Sequence, residues 1–281
     1  MESQIIPYTS VRSVGRGVAL VLAPHPDDEV FGCGGAIMRH VADGDPVHVA
    51  IVTDGGWQVE AGADSETYIR LRRSESLCAA KILDYGTPVF WGLEDRNLSY
   101  NEALVQRIGK AIQDSGANII YAPSIYEMHP DHRALALAAA GAARGTGTTL
   151  VMFEVGVPLP PNRLLDITDL LARKSEAMGC FQSQMAQRDY AGLIKALNRF
   201  RAYTLPDTVE AAEAYLLMDA EALPADPLEL YVTEADRQQA FGSSLANTEN
   251  FSDTARWRIA WRKISSRFRA NLDSPMSRVG V

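Results

Sequence analysis

A chain of 281 residues with 47% hydrophobic and 22% charged residues can bury a full core without disulfides or a structural metal. Its net charge of -8 excludes the basic face that general nucleic-acid binding requires. No apolar run approaches the length of an integral membrane span, and residues 1–17 lack the charged start and apolar run of a signal peptide.

The predicted elements alternate from the start. Val18–Ala23 is apolar on both faces, as a buried parallel strand is. Gly35–Ala42 reads as a helix, Val47–Thr53 as a second buried strand and Tyr68–Leu83 as a long helix. Pro88–Gly92, Glu102–Gln113, Asn118–Ala122, Arg133–Ala143 and Leu150–Val155 continue strand, helix, strand, helix, strand. Such a series predicts an α/β fold: a Rossmann-like, mostly parallel sheet with helices on both faces. Beyond Pro158, Pro160 and Pro161 the pattern loosens. Leu164–Thr168 reads as a strand; Asp169–Gly179, Tyr190–Phe200 and Thr208–Met218 read as helices. No linker separates a second domain. The expectation is one domain over 1–281, with 18–156 as its core and 157–281 supplying the substrate pocket and a C-terminal helical part. Within that part Arg256–Arg278, with Trp257, Trp261 and Phe268, reads as an amphipathic helix laid on the body. A membrane-surface or partner helix is the sharper alternative.

Cys33, Cys78 and Cys180 stand far apart and in no CxxC pattern. That argues against a disulfide framework or zinc knuckle and suits a reduced, cytoplasmic setting.

In open α/β sheets the chemistry lies outside the carboxyl ends of the strands. The first strand ends in Pro24-His25-Pro26-Asp27-Asp28-Glu29 and the fourth is followed by Glu127-Met128-His129-Pro130-Asp131-His132. Imidazole and carboxylate donors without thiolate suit Zn²⁺, with Fe²⁺ or another divalent ion as the alternative. His25, Asp28 and either His129 or His132 make a three-ligand set with one open position. Asp27 is then the natural general base toward a metal-activated water, and the remaining loop-two histidine can bind an oxyanion or protonate a leaving group. Each loop alone is also what a turn with a helix cap looks like; their joint occurrence after two buried strands favours chemistry. His40 and His48, inside a helix and a strand, read as structural. Gly32-Cys33-Gly34-Gly35 misses the GxGxxG spacing, so its glycines are read as letting a helix approach the metal loop.

These residues resemble the PIG-L/LmbE-like deacetylases. The resemblance rests on Ala23–Glu29 with Gly32-Cys33-Gly34-Gly35, on Thr53-Asp54-Gly55, on Arg72-Arg73-Ser74-Glu75, and on His129-Pro130-Asp131-His132. A looser match runs from Lys174 to Gln184. It implies a zinc-dependent enzyme that removes the N-acetyl group from an N-acetylglucosamine-type sugar or glycoconjugate. The implied zinc ligands are His25, Asp28 and His132, with Asp27 as general base. A protonated His129 would meet the oxyanion, with Asp131 beside it as orienter. Arg72 and Asp95 are the implied sugar-binding residues. Glu127-Met128 stand where some sugar-thiol deacetylases of this family carry a tyrosine, which weakens a thiol-precursor substrate here. The rival readings are a non-catalytic carbohydrate-binding protein on the same fold, an amidase acting on a thiol-sugar conjugate, and a nucleotide-dependent enzyme using the glycine-rich turn. The expected partner is a small-molecule or oligosaccharide amino sugar; a homo-oligomer is left open.

Overall fold

The computed structural model describes residues 7–57 and 64–231, which fall within one compact unit. The C-terminal stretch expected as an amphipathic helix lies outside the described residues, so the single-domain expectation stands only as a proposal.

The apolar runs become the centre of a sheet. In chain order the elements are β1 (Ala19–Ala23), α1 (Asp28–Ala42), β2 (Val47–Thr53), α2 (Ser65–Leu83), β3 (Val89–Leu93), α3 (Glu102–Ser115), β4 (Ile119–Pro123), α4 (Pro130–Thr146) and β5 (Thr149–Phe153). There follow β6 (Arg163–Asp166), α5 (Leu171–Met178), α6 (Gln182–Met185), α7 (Tyr190–Arg201) and β7 (Ala212–Met218). Among the described residues the sheet has seven strands in the order β3-β2-β1-β4-β5-β7-β6. The first five are mutually parallel; β7 runs antiparallel to both β5 and β6. No helix among the described residues is long and apolar enough to cross a membrane.

Alternation along β1 divides the core. Ala19, Val21 and Ala23 face a cluster with α1, α2 and α5, whereas Leu20 and Leu22 face α3 and α4. A strand buried on both faces sends every residue into one cluster or the other, which is why it shows no polar alternation. His40 is structural, as expected: it is buried, with Nε2 2.8 Å from the Tyr121 hydroxyl and Nδ1 3.0 Å from Asp45 Oδ2.

Two expectations fail, for different reasons. Thr208–Met218 was read as helical, but Ala212–Met218 is a strand. Ala, Glu, Leu and Met favour helix as isolated residues; β5 and β6 offer a ladder on both sides, and that pairing wins. The helix expected from Gly35 begins at Asp28, reaching back across the glycines into the metal loop. It does so by breaking: Cys33 sits at φ -140, ψ 24, outside helical geometry.

Candidate active site

β1 and β4 are neighbours in the sheet, yet their following helices leave for opposite faces, α1 to one and α4 to the other. A crevice opens where this happens, and both His-Pro-Asp loops border it.

The first loop is held in a costly conformation. Asp27 has φ 147, which a side chain with a Cβ rarely adopts, and strain of this kind costs on the order of 1–3 kcal/mol. Its surroundings hold it there. The Asp27 N–H donates to Glu29 Oε2 at 2.9 Å, and the Asp27 carbonyl accepts from Val30 and Phe31 at the start of α1. Arg72 reaches over from α2 and donates to the Pro26 carbonyl at 2.7 Å and to Asp27 Oδ2 at 3.1 Å. Glu29 is fully buried, with Oε1 3.1 Å from the Ser76 hydroxyl, and burial pushes its carboxyl up to about 8. With Oε2 accepting from Asp27 and Oε1 from Ser76, Glu29 supports the turn.

In the second loop Pro130 opens α4 and His129 caps it, with His129 Nδ1 accepting the Asp131 N–H at 3.2 Å. That bond assigns the tautomer: in neutral His129 the proton is on Nε2.

The two loops bring three donor atoms together. His25 Nδ1 lies 3.1 Å from Asp28 Oδ2, His132 Nε2 lies 3.2 Å from the same oxygen, and the two imidazole nitrogens are 3.2 Å apart. Ligands about 2.0–2.1 Å from a tetrahedral ion are separated by about 3.3 Å, so this near-equilateral triangle fits three corners of such a site. Wider groupings also exist. Donor atoms of His25, His129 and His132, and of His25, Asp95, His129 and Asp131, lie within 4.8 Å of one another. The Asp28 triangle is the tighter match, and it leaves His25 Nε2 for carboxylates: Asp95 Oδ1 at 3.2 Å and Asp131 Oδ2 at 3.3 Å. A carboxylate behind the far nitrogen is the usual support of a metal-binding imidazole.

The electrostatics follow from crowding. Burial alone would raise the Asp28 carboxyl, but the charge and hydrogen bond of His132 and the hydrogen bond of His25 hold it well below the carboxylate range. Burial pushes Asp27 up to about 7, against the pull of the Arg72 guanidinium. Burial and the adjacent His25 and His132 rings push His129 down to about 4. That shift favours the neutral ring of His129, whose Nε2 then carries the proton.

Other expected site residues have different neighbours from those anticipated. The Asp131 carboxylate does not support His129. It is fully buried against His25, accepting backbone N–H groups from Arg96 at 2.6 Å and Leu98 at 3.1 Å. Asp95, expected on sugar hydroxyls, accepts the Trp57 N–H at 3.3 Å and faces His25 with its other oxygen. Arg72, expected on the sugar, is buried and holds Asp27, Pro26 and the Gly55 carbonyl. Glu75, three residues on, accepts the N–H and hydroxyl of Ser183, both at 2.7 Å, tying α2 to α6.

Sequence reasoning missed Glu127 as a site residue. Its Oε2 lies 3.8 Å from His132 Nδ1, a buried nitrogen with no hydrogen-bond partner among the described residues, and its Oε1 accepts the N–H of Val155 at 2.7 Å and Gly156 at 3.1 Å. Only its place two residues before His129 hinted at this. Trp57 was missed too. Its indole is 59% exposed, with the Arg96 guanidinium 5.0 Å from the ring centroid.

Comparison with known proteins agrees with the geometry. Residues 20–143 match the PIG-L family, described as GlcNAc-PI de-N-acetylase. The 2'-N-acetylparomamine deacetylase of Streptomyces fradiae is 27% identical over 202 residues, covering 64% of this chain and 70% of that protein. Among solved structures, the N,N'-diacetylchitobiose deacetylase of Pyrococcus horikoshii superposes with a TM-score of 0.66 at 22% identity, over 72% of this chain and 84% of its own. The 4-carboxy-2-hydroxymuconate hydratase of Pseudomonas putida shares the fold at a TM-score of 0.61 and 21% identity, over 72% of this chain and 96% of its own. The fold alone thus hosts more than one reaction, and the two metal-loop motifs within residues 20–143 decide the grouping. Residues 20–143 thus match a PIG-L family domain, and the relatives this chain is similar to are deacetylases.

Proposed function

We propose that this protein is a zinc-dependent N-deacetylase that hydrolyses the acetamide of an N-acetylglucosamine-type sugar or glycoconjugate, giving acetate and a free amine. The observation that carries the reading is the His25–Asp28–His132 triangle, with edges of 3.1–3.2 Å, beside an Asp27 carboxylate that no metal ligand occupies. Relatives that deacetylate paromamine and chitobiose derivatives support the amino-sugar substrate class. The three cysteines, in no CxxC pattern, support a cytoplasmic setting.

His25, Asp28 and His132 would hold the ion; when bound, Zn²⁺ supplies Lewis-acid polarisation of a carbonyl and acidifies water. Asp27 accepts a proton from the attacking water. Its strained backbone and its bond to Arg72 fix the direction in which that carboxylate points. Neutral His129 donates its Nε2–H to the oxyanion that forms as the acetyl carbon becomes tetrahedral. Collapse breaks the C–N bond, and the proton held by Asp27 passes to the departing amine. Asp95 and Asp131 touch no reacting atom; they hold the His25 ring.

The test measures acetate release and metal content on the same samples, using a panel of N-acetylated amino sugars. Asp27→Asn should keep one zinc and lose about 10²–10⁴-fold in kcat. His132→Ala should lose the metal. An Asp27→Asn enzyme with wild-type turnover, or a His132→Ala protein with unchanged zinc content, would refute the corresponding role.

A further inference from the structure

The break in α1 at Cys33 has a buried ion pair, Lys174–Glu213, bonded to the backbone groups on its two sides. In an uninterrupted helix the Gly35 N–H would donate to the Phe31 carbonyl four residues back. Here the Gly35 N–H donates to Glu213 Oε1 at 2.8 Å, and the Phe31 carbonyl accepts from Lys174 Nζ at 2.9 Å. The two side chains meet at 2.6 Å. Glu213 Oε2 also takes the Ala36 N–H at 3.0 Å. The polarity matches a helix cut in two. A carboxylate caps the N-terminus of the second half, and an ammonium caps the carbonyl end of the first.

The insertion is built for, since both residues are almost wholly buried. Lys174 has a further acceptor in Asn198 Oδ1 at 3.1 Å, and Glu213 accepts the Tyr215 hydroxyl at 2.5 Å. The glycines make room: a Cβ on Gly35 would lie 2.6 Å from Glu213 Oε2 and 2.4 Å from Ile167, and one on Gly32 would lie 2.2 Å from Phe153. The glycine run thus admits side chains into the helix rather than bringing the helix to the metal loop. Stability alone does not call for such a pair, because well-packed apolar residues in place of a buried ion pair are often neutral or stabilising.

The first half of α1 carries Asp28, which sits in the donor triangle, and Glu29, which holds the strained Asp27 backbone. The second half is packed into the core beneath β1. A continuous helix would force both halves onto one axis. We propose that Lys174 and Glu213 are positioning residues for the metal site: by splicing the gap in α1 they set the aim of Asp28 without touching any ligand atom. This rests on Asp28 being a metal ligand.

The test is the double variant Lys174→Met/Glu213→Leu of the full chain, in which Phe31 and Gly35 are free to bond each other. Zinc affinity is measured by competition with a chromophoric chelator, and thermal unfolding is followed on the metal-free protein. The expected result is a folded protein with zinc binding about 10–100-fold weaker, the loss typical of removing a group that supports a ligand. A stably folded double variant with wild-type zinc affinity overturns the proposal. If the double variant does not fold, Glu213→Gln, of equal volume, is scored the same way: weaker zinc binding at a wild-type circular dichroism spectrum supports it, and wild-type affinity overturns it. Asp28→Asn separates the two readings. If that variant binds zinc as wild type does, Asp28 is not a ligand and both readings fall; if it loses zinc while the double variant does not, only the positioning role falls.

Discussion

At the scale of single residues the loops divide labour between groups that are chemically alike. Asp27 and Asp28 are adjacent carboxylates in one turn, yet burial lifts the first to about 7 while two imidazoles hold the second far down. Only an acid near neutrality both takes and returns a proton efficiently at physiological pH. Arg72 sets the balance, because its guanidinium is the chief force lowering Asp27. Asp27 must be ionised to act as base, so kcat/KM should rise with pH through a limb that belongs to it. Arg72→Met should move that limb to higher pH, since the removed cation favoured the ionised form. A limb that stays put, or moves to lower pH, would show that Arg72 does not tune the base. His129 gives a second expectation. As a neutral Nε2–H donor, it should contribute about 10²–10³-fold to kcat. His129→Ala should show that loss with zinc content unchanged, and a loss confined to KM would place the residue on the sugar instead. The proposed roles of Asp27 and Asp28 rest on their types and their neighbours in sequence. The lowering of His129 could not be read there, because it follows first from burial and then from the His25 and His132 rings, which only the fold brings to it.

At the scale of elements, what the sequence revealed follows a physical rule. Strands β1, β2, β4 and β5 were legible because a run buried on both faces must be apolar throughout. The loops after β1 and β4 stood out because their His and Asp residues cluster within a few positions. β7 was not: Ala-Glu-Ala-Tyr-Leu-Leu-Met says helix in isolation, and only the ladder from β5 and β6 makes it a strand. Its one discordant residue is Glu213, a buried carboxylate in an apolar strand, whose partners lie on α1 and α5. Glu127 has the same character. It joins the β4–α4 loop to the segment after β5 through the N–H groups of Val155 and Gly156, and its Oε2 lies 3.8 Å from His132 Nδ1. Glu127→Leu removes both contacts. It should weaken zinc binding by about 10-fold or more, read by the same chelator competition. Unchanged affinity would mean that Glu127 serves the loop alone.

At the scale of the whole molecule, the chain after residue 157 is wired into the core by buried charge. Lys174 and Glu213 enter α1. Arg201, from α7, donates from Nε to Glu154 Oε1 at 2.9 Å at the end of β5 and from its terminal nitrogen to the Leu159 carbonyl at 2.7 Å. Glu154 and Arg201 are 4% and 6% exposed, so neither charge has water to fall back on. Composition and periodicity cannot announce such a link, because its members stand dozens of residues apart and each alone looks like a surface residue. The energetic consequence differs from that of a surface pair. Arg201→Met leaves Glu154 buried and uncompensated, which costs roughly 3–5 kcal/mol. In a body of this size that lowers the unfolding temperature by roughly 10 °C. Glu154→Leu/Arg201→Met removes both charges together and should recover most of the loss. Thermal unfolding of the two variants decides the matter. If the double variant is no more stable than the single, the cost lies in the lost contact with Leu159, and the post-β5 segment is held by Arg201 through that carbonyl rather than by a charge pair.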